Sequence, residues 1–425
     1  IMDEEKTIIC DSLFYDTNED SIELFGDIEL KNLKQTISSN LGIIDNKNEK
    51  LTLKNQVKIK DGETSVQGDK VEIKFENKKI DTIKVIENGI IFSNNFGFVK
   101  NKLNQKEKVK NIDILKGKLV NIKMEDDVVS SIELIGMASS FIHFYEDSLY
   151  QGNNNISGDK ILLLFKDNMT SSLEAFGGVI GKFNPSESNH KSQEKVDYTS
   201  DRIKFDTKSN QSQLYGNAKI IQPGFDLTAA QIDINLNNNI LEAYDYNPYK
   251  ENDILTPTLI EDGRQPISGK SMVYNTKNKK GKIVAASTYM QENKFIGKQI
   301  TTVSDSTFYI EDCIFTSCDP SKFYLGSKKV KVIFGDKVIA KPLSIVIGGV
   351  PIFGIPIAIF PHSNSDRRSG WIMPSFGSSE NRGNYVDGLG YYFAPNDYFG
   401  SENSIAFADR QGLIIKSKNS YKNRY

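Results

Sequence analysis

The chain has 425 residues, with 53 Lys and Arg against 55 Asp and Glu, and its mean hydropathy is −0.41. Charge this evenly balanced excludes bulk electrostatic attraction to nucleic acid or to an anionic surface. A hydrophobic content of 38% excludes a helical membrane protein, but not a β-barrel, whose strands alternate lipid-facing and lumen-facing residues and so average out as polar.

Residues 1–340 have almost no helical periodicity. They carry period-2 alternation broken by Asn, Asp, Lys and Gly turns, which predicts an all-β array. Ile28 and Leu30 share a face early on, and Leu51, Leu53, Val57 and Ile59 alternate with polar residues in the next segment. Gly68-Asp-Lys-Val-Glu-Ile-Lys-Phe returns as Gly158-Asp-Lys-Ile-Leu-Leu-Leu-Phe, with variants at Ser200-Asp-Arg-Ile-Lys-Phe and Gly269-Lys-Ser-Met-Val-Tyr. The repeating unit reads as a hairpin, with glycine supplying the turn, one apolar face and one solvated face. Stacked hairpins bury faces that none can bury alone. The expected greasy groove is lined by Val71, Ile73, Phe75, Ile161, Leu163 and Phe205. Joints are expected at Lys102–Lys110, at Asn184–Lys195 and at Asp245–Pro266, giving layers at 1–195 and 196–341.

The most apolar run, Pro342 to Pro361, is long enough for a membrane helix, but four prolines and Gly348, Gly349 and Gly354 argue against one. Its Ile and Val content predicts two short buried strands between about Ser344 and Phe360. A basic collar with Asp366, Arg367 and Arg368 follows, then Gly370 and the single tryptophan, Trp371, so 342–369 reads as a hinge. Arg367 and Arg368 could meet phosphates or form a solvated collar. From Gly370 to Tyr425, aromatic and aliphatic residues alternate with small ones, as in membrane strands handed over from a soluble domain. Three or four spanning strands fit there and cannot close a barrel, so the sequence is expected to continue past Tyr425. Ile1 likewise reads as a cut or mature start.

Candidate chemistry is sparse. Cys10, Cys313 and Cys318 have neither a Cys-x-x-Cys nor a zinc spacing and read as semi-buried thiols. His143, His190 and His362 lack ligand spacing, and no nucleophile, Walker or metalloprotease motif occurs. No catalytic residue, metal or cofactor is expected.

Four motifs occur in order: Glu311-Asp-Cys-Ile-Phe-Thr-Ser-Cys-Asp-Pro, Gly349-Val-Pro-Ile-Phe-Gly-Ile-Pro, Arg367-Arg-Ser-Gly-Trp-Ile-Met-Pro and Tyr391-Tyr-Phe-Ala-Pro-Asn-Asp-Tyr. Together they resemble the lipopolysaccharide-assembly LptD family, also called OstA/Imp or organic solvent tolerance. The resemblance implies an open, V-shaped periplasmic β-jelly-roll feeding an outer-membrane β-barrel. Its implied partners are lipopolysaccharide, a periplasmic bridge protein of the same jelly-roll type and a plug lipoprotein in the barrel. It implies a lateral gate at Pro374, where the family has a proline in its first barrel strand, and at Gly390, where this chain departs from a second gate proline. It also makes Cys10 and Cys318 candidate disulfide cysteines whose usual partners would lie beyond Tyr425. Residues 1–340 alone fit a soluble periplasmic bridge or scaffold equally well, and the texture after Gly370 separates the two readings.

Overall fold

A computed structural model of the chain describes all residues except 1, 4, 5, 32–34, 78, 101–104, 127, 167, 168, 187–193, 251, 252, 263, 264, 291, 292, 305, 317–322, 362–367, 373 and 423–425. Among the described residues every regular element is a strand, as the alternation predicts, and no helix is long and apolar enough to cross a membrane. The chain divides into two compact units, one comprising Ile1–Asp226 with Gln231–Leu236 and Pro248–Glu251, the other the remaining stretches to Tyr425.

The first unit is an antiparallel meander. From Ser12–Asp16 to Gln211–Gln222 each strand pairs with the next. Several strands are very long, such as Lys79–Lys100 and Val128–Glu146, and from Ser21–Lys31 onward every pairing shifts register near its middle. The shifts have a common cause. Ser21–Lys31 has Gly26 alone in the left-handed region there, and from Lys50–Asp61 every second strand holds two consecutive left-handed residues at that level: Asn55-Gln56, Glu87-Asn88, Gly136-Met137, Gly177-Gly178 and Gly216-Asn217. Such a pair inserts one residue more than the partner strand has, which is a β-bulge that bends the strand. Gly and Asn fill most of these positions because L-residues with a full Cβ pay for positive φ.

The Gly-Asp repeat lies opposite these bulges. Asn88 Nδ2 donates to Asp69 Oδ2 at 2.6 Å, and Asn217 Nδ2 to Asp201 Oδ2 at 3.3 Å. The Asp159 carboxylate lies against Gly177, in space that a Cβ there would occupy. Gly68 and Gly158 therefore sit inside the strands Thr64–Glu76 and Leu149–Lys166 and not in hairpin turns, which corrects the role expected of them. Val85 fills the space that a Cβ at Gly68 would need, so glycine is required there for close packing at a corner.

On the outer face, polar residues pair across strands. Glu72 lies between Lys70, at 2.5 Å, and Lys50, at 3.0 Å, on neighbouring positions of the sheet. On the inner face one polar group stands out. Ser140 is fully buried and its hydroxyl has no hydrogen-bond partner.

In the second unit, Ile240–Tyr244, Ser271–Asn275, Lys280–Met290, Asn293–Ser304, Thr307–Thr316 and Phe323–Ile333 continue as an antiparallel meander. The sheet then forks. One end of Phe323–Ile333 pairs with Lys337–Lys341 and the other with Leu343–Ile347. A separate sheet holds Gly370–Ile372 and Ser375–Ser379, both paired with Gly383–Phe393, followed by Phe399–Ala408 and Gly412–Tyr421.

The hydrogen bond from Lys70, then that from Lys50, holds the Glu72 carboxyl down at about 2 from an ordinary 4.5. A depressed carboxyl stabilises the fold fully above its unfolded value and loses that contribution as pH falls from about 4.5 to about 2. Urea unfolding of Glu72→Gln should show a deficit of about 1–2 kcal/mol at pH 7, discounted for the half-exposed lysines, that vanishes near pH 2. Ser140→Ala should raise stability by about 1 kcal/mol, because it removes a buried hydroxyl without removing a bond.

Candidate lipid groove and membrane junction

Following the register across the first unit gives unbroken apolar rails. Leu53, Val71, Val85, Val120, Leu134, Ile161, Ala175, Ile203 and Leu214 are direct cross-strand partners in turn, and all are buried. A second rail runs beside it through Leu51, Ile73, Ile83, Ile122, Ile132, Leu163, Leu173 and Phe205. Beyond the corner a third passes through Ile59, Val66, Ile91, Leu115, Ser140, Ile156, Gly181, Tyr198 and Ile220. Adjacent strands lie about 4.8 Å apart, so each rail is a strip of side chains with no polar gap wider than one residue.

Five of the residues expected to line a groove fall on these rails, Val71 and Ile161 on the first and Ile73, Leu163 and Phe205 on the second. Val71, Ile73 and Ile161 are 0% exposed, and Leu163 is buried, whereas Phe75 and Phe205 are half-buried. The Phe205 ring meets Phe144 edge-on at 6.1 Å, although Phe144 lies past the corner in its own strand. The inner faces of the two arms of the bent sheet therefore meet at this pair. The rail residues not singled out from the sequence, among them Val85, Val120, Leu134 and Ala175, carried a usable signal. It was the alternation measured separately on each side of the corner.

Polar groups inside this interior are few and mostly paired. Tyr198 is buried, its hydroxyl exchanges hydrogen bonds with the Asn154 amide at 2.7 and 2.9 Å, and its ring covers Gly181, where a Cβ could not fit. At one place the sheet splits. Pairing between Lys106–Glu125 and Val128–Glu146 ends at Ile114 with Phe141, and side chains replace the ladder beyond it. Asp113 Oδ1 accepts the His143 main-chain N–H at 2.9 Å and lies 2.7 Å from its Nδ1, while Asn95 donates to the other oxygen at 2.6 Å. Burial pushes the Asp113 carboxyl up against the opposing effect of these hydrogen bonds. His143 is thus occupied in bridging a fork in the sheet, and His190 and His362 lie outside the described residues.

In the second unit Ala243, Met272, Ile283, Ile300, Ile310, Val330, Ala340 and Ala358 form a rail of the same kind. Cys313 is a buried free thiol whose pKa burial pushes up to about 12, and Cys10 is free and half-buried. Cys318 lies outside the described residues.

The run after Pro342 differs from the two buried strands expected of it. It forms three strands, Leu343–Ile347, Val350–Ile355 and Ala358–Pro361, and the middle one is exposed along nearly its whole length. The reason is topological. Val350–Ile355 pairs only with Leu343–Ile347 among the described residues, and no second layer covers it.

Arg368 Nη1 reaches Asp336 Oδ1 at 2.6 Å, which ties the collar back to the turn before Lys337–Lys341, and Arg367 lies outside the described residues. Gly370 is buried opposite Tyr392, and Trp371 stands edge-on to Tyr391 at 5.4 Å. Pro374 is buried in the break between Gly370–Ile372 and Ser375–Ser379, where it withholds a ladder donor. Gly390 pairs with Ile372 at the edge of that break, and a Cβ on Gly390 would meet the Asn403 carbonyl. The sheet's small residues, Ala406 and Ala408, are buried on one face, while Ile405, Phe407, Leu413 and Ile415 are exposed on the other.

A family model described as LptD protein matches residues 338–425, and one described as LptA/(LptD N-terminal domain) LPS transport protein matches residues 148–240. The LPS-assembly protein LptD of Hahella chejuensis is 25% identical over 191 residues, which cover 43% of this chain and 22% of that relative. The chain thus spans about a fifth of the length of this relative. The crystal structure of LptH, the LptA-homologous periplasmic component of the lipopolysaccharide transport device of Pseudomonas aeruginosa, aligns with 16% identity over 29% of this chain and 76% of that one, with a TM-score of 0.23. The two family models and the curated relative agree with the motif order read from the sequence, and over these stretches the chain is similar to the LptD family.

Proposed function

We propose that the chain is a lipopolysaccharide-transport component that receives the lipid in a periplasmic apolar groove and passes it to an outer-membrane barrel that opens sideways. The observation that carries this reading is the continuity of the rails. A core that only stabilised a fold would need buried residues but no unbroken strip along the whole stack. Acyl chains entering between the arms would replace contacts between side chains with contacts to methylenes, so the exchange costs little hydrophobic free energy. The polar outer faces stay in the periplasm, and the first unit leads to strands from Gly370 onward whose Ile405, Phe407, Leu413 and Ile415 face lipid.

In this reading 342–369 is the hinge, Pro374 weakens the seam between the first and last barrel strands, and Gly390 leaves a donor where a second proline would remove one. The bridge protein docks at the jelly-roll and a plug lipoprotein fills the barrel. Transport of this kind needs no catalytic group, and none is assigned. A soluble bridge without a barrel would leave the apolar face of Gly412–Tyr421 without a purpose.

Photo-crosslinkers at Val71, Ile73, Ile161 and Leu163 should capture lipopolysaccharide in cells, whereas Leu164, equally apolar but facing outward, should not. Equal labelling at Leu163 and Leu164 would sink the groove. Pro374→Ala in the full-length protein should slow the appearance of surface lipopolysaccharide several-fold by restoring a donor at the seam. Unchanged export would remove Pro374 from the gate.

A further inference from the structure

The hairpin of Leu343–Ile347 and Val350–Ile355 is apolar on surfaces that none of the described residues covers. Val350 is 63% exposed, Ile352 64% and Phe353 57%. Val350 and Pro351 are consecutive in a regularly paired stretch, point to opposite faces and are both exposed, so both faces of the strand are apolar and bare. Ile357 and Ile359, just beyond, are exposed as well. From Pro342 to Ser365 there is no Asp, Glu, Lys or Arg. Charge returns outside the run, at Lys341 before it and at Asp366, Arg367 and Arg368 after it, the last held by Asp336.

We infer that this hairpin inserts into a phospholipid bilayer, at the boundary between headgroups and acyl chains. A folded protein partner covers one face of a strand, whereas a lipid medium surrounds both, and both are bare here. The depth follows from the backbone. Among the described residues Val350–Ile355 has one neighbouring strand, so its outer edge carries polar groups with no partner in the chain. Those groups exclude the hydrocarbon centre, where each would cost several kcal/mol, and they tolerate the boundary, where water and headgroups can bond them. Pro351 has no N–H to satisfy. The tip at Gly348-Gly349, with both residues left-handed, gives a tight turn without a charged side chain. In chain order the hairpin immediately precedes the Trp371–Tyr391 pair, a ring combination suited to the same depth.

This inference rests on the reading that the sheet from Gly370 onward lies in the membrane, and the test separates the two. The single tryptophan of the 425-residue chain is replaced by Trp371→Phe, and one reporter is added at a time: Phe353→Trp in the hairpin, Phe407→Trp in the sheet, or exposed Phe14→Trp in the first unit. Each chain is reconstituted with phosphatidylethanolamine–phosphatidylglycerol vesicles carrying bromine at a shallow or a deep acyl position. The tryptophan at 353 should lose at least half its emission to shallow bromine and less to deep bromine, and that at 14 should lose none. If the tryptophan at 407 is quenched by bromine while that at 353 stays open to aqueous iodide, the hairpin inference falls and the membrane sheet stands. Silence at both positions overturns the membrane reading and the inference together. Protection of position 353 from iodide that grows with protein concentration in lipid-free buffer assigns the hairpin to a second copy and also overturns it.

Discussion

All strands of the first unit must bend at one level, and the interior depends on how that bend is made. A strand has a period of two, so a sheet folded into facing arms keeps its apolar residues inside only if every strand corners in phase with its neighbours. The structure meets this with two kinds of corner in alternation. In strands with the Gly-Asp station the buried residues flanking the bend are Val66 and Val71, or Ile156 and Ile161. In the strands between, the residues paired with Val71 and Val66 are Leu53 and Ile59, or Val85 and Ile91, one residue further apart. The extra residue is the second member of each left-handed pair, and the aspartate opposite takes up amide hydrogens that the bulge exposes. Losing the bulge from one strand would turn its second arm inside out, setting residues such as Lys58 against the rail.

That alternation explains what could be read from the sequence and what could not. The all-β class was legible because period-2 patterning survives within each arm. The repeat at Gly68, Gly158 and Ser200 was audible too, since a corner needs the same residues each time. Its meaning was hidden because a glycine–aspartate pair between alternating runs has the composition of a hairpin turn, and the real turns, such as Asp147-Ser148, carry the same kinds of residue. The phase slip at the corner also cuts each strand with a Gly-Asp station into two short patterns, so Thr64–Glu76 reads as two strands in sequence and is one in the fold. Val71, Ile73, Ile161 and Leu163 were recoverable because each follows its station at a fixed distance. Val85 and Leu134 lie two residues before left-handed pairs with no shared sequence and left no such trace.

The apolar run after Pro342 was misjudged for a different reason. Hydrophobicity tells what a segment avoids, not what covers it, and burial by protein and burial by lipid look alike in a sequence. Only the topology separates them. Leu343 and Val346 face the protein and are buried, whereas Val350–Ile355, one strand further out, has no layer above or below it. Prolines mark the same boundary, since edge strands tolerate them and central strands do not.

At the proposed gate, the departure from the family's second proline has a structural context. Position 390 is a close approach of two backbones, with the Asn403 carbonyl where a Cβ would stand. A pyrrolidine ring would need the strand Phe399–Ala408 to move away, so the neighbouring strand and the residue at 390 have to change together. In the proposed gate, weakness at the seam would therefore rest on Pro374, which withholds its donor between Gly370–Ile372 and Ser375–Ser379, two pieces that pair with Gly383–Phe393 in one continuous register.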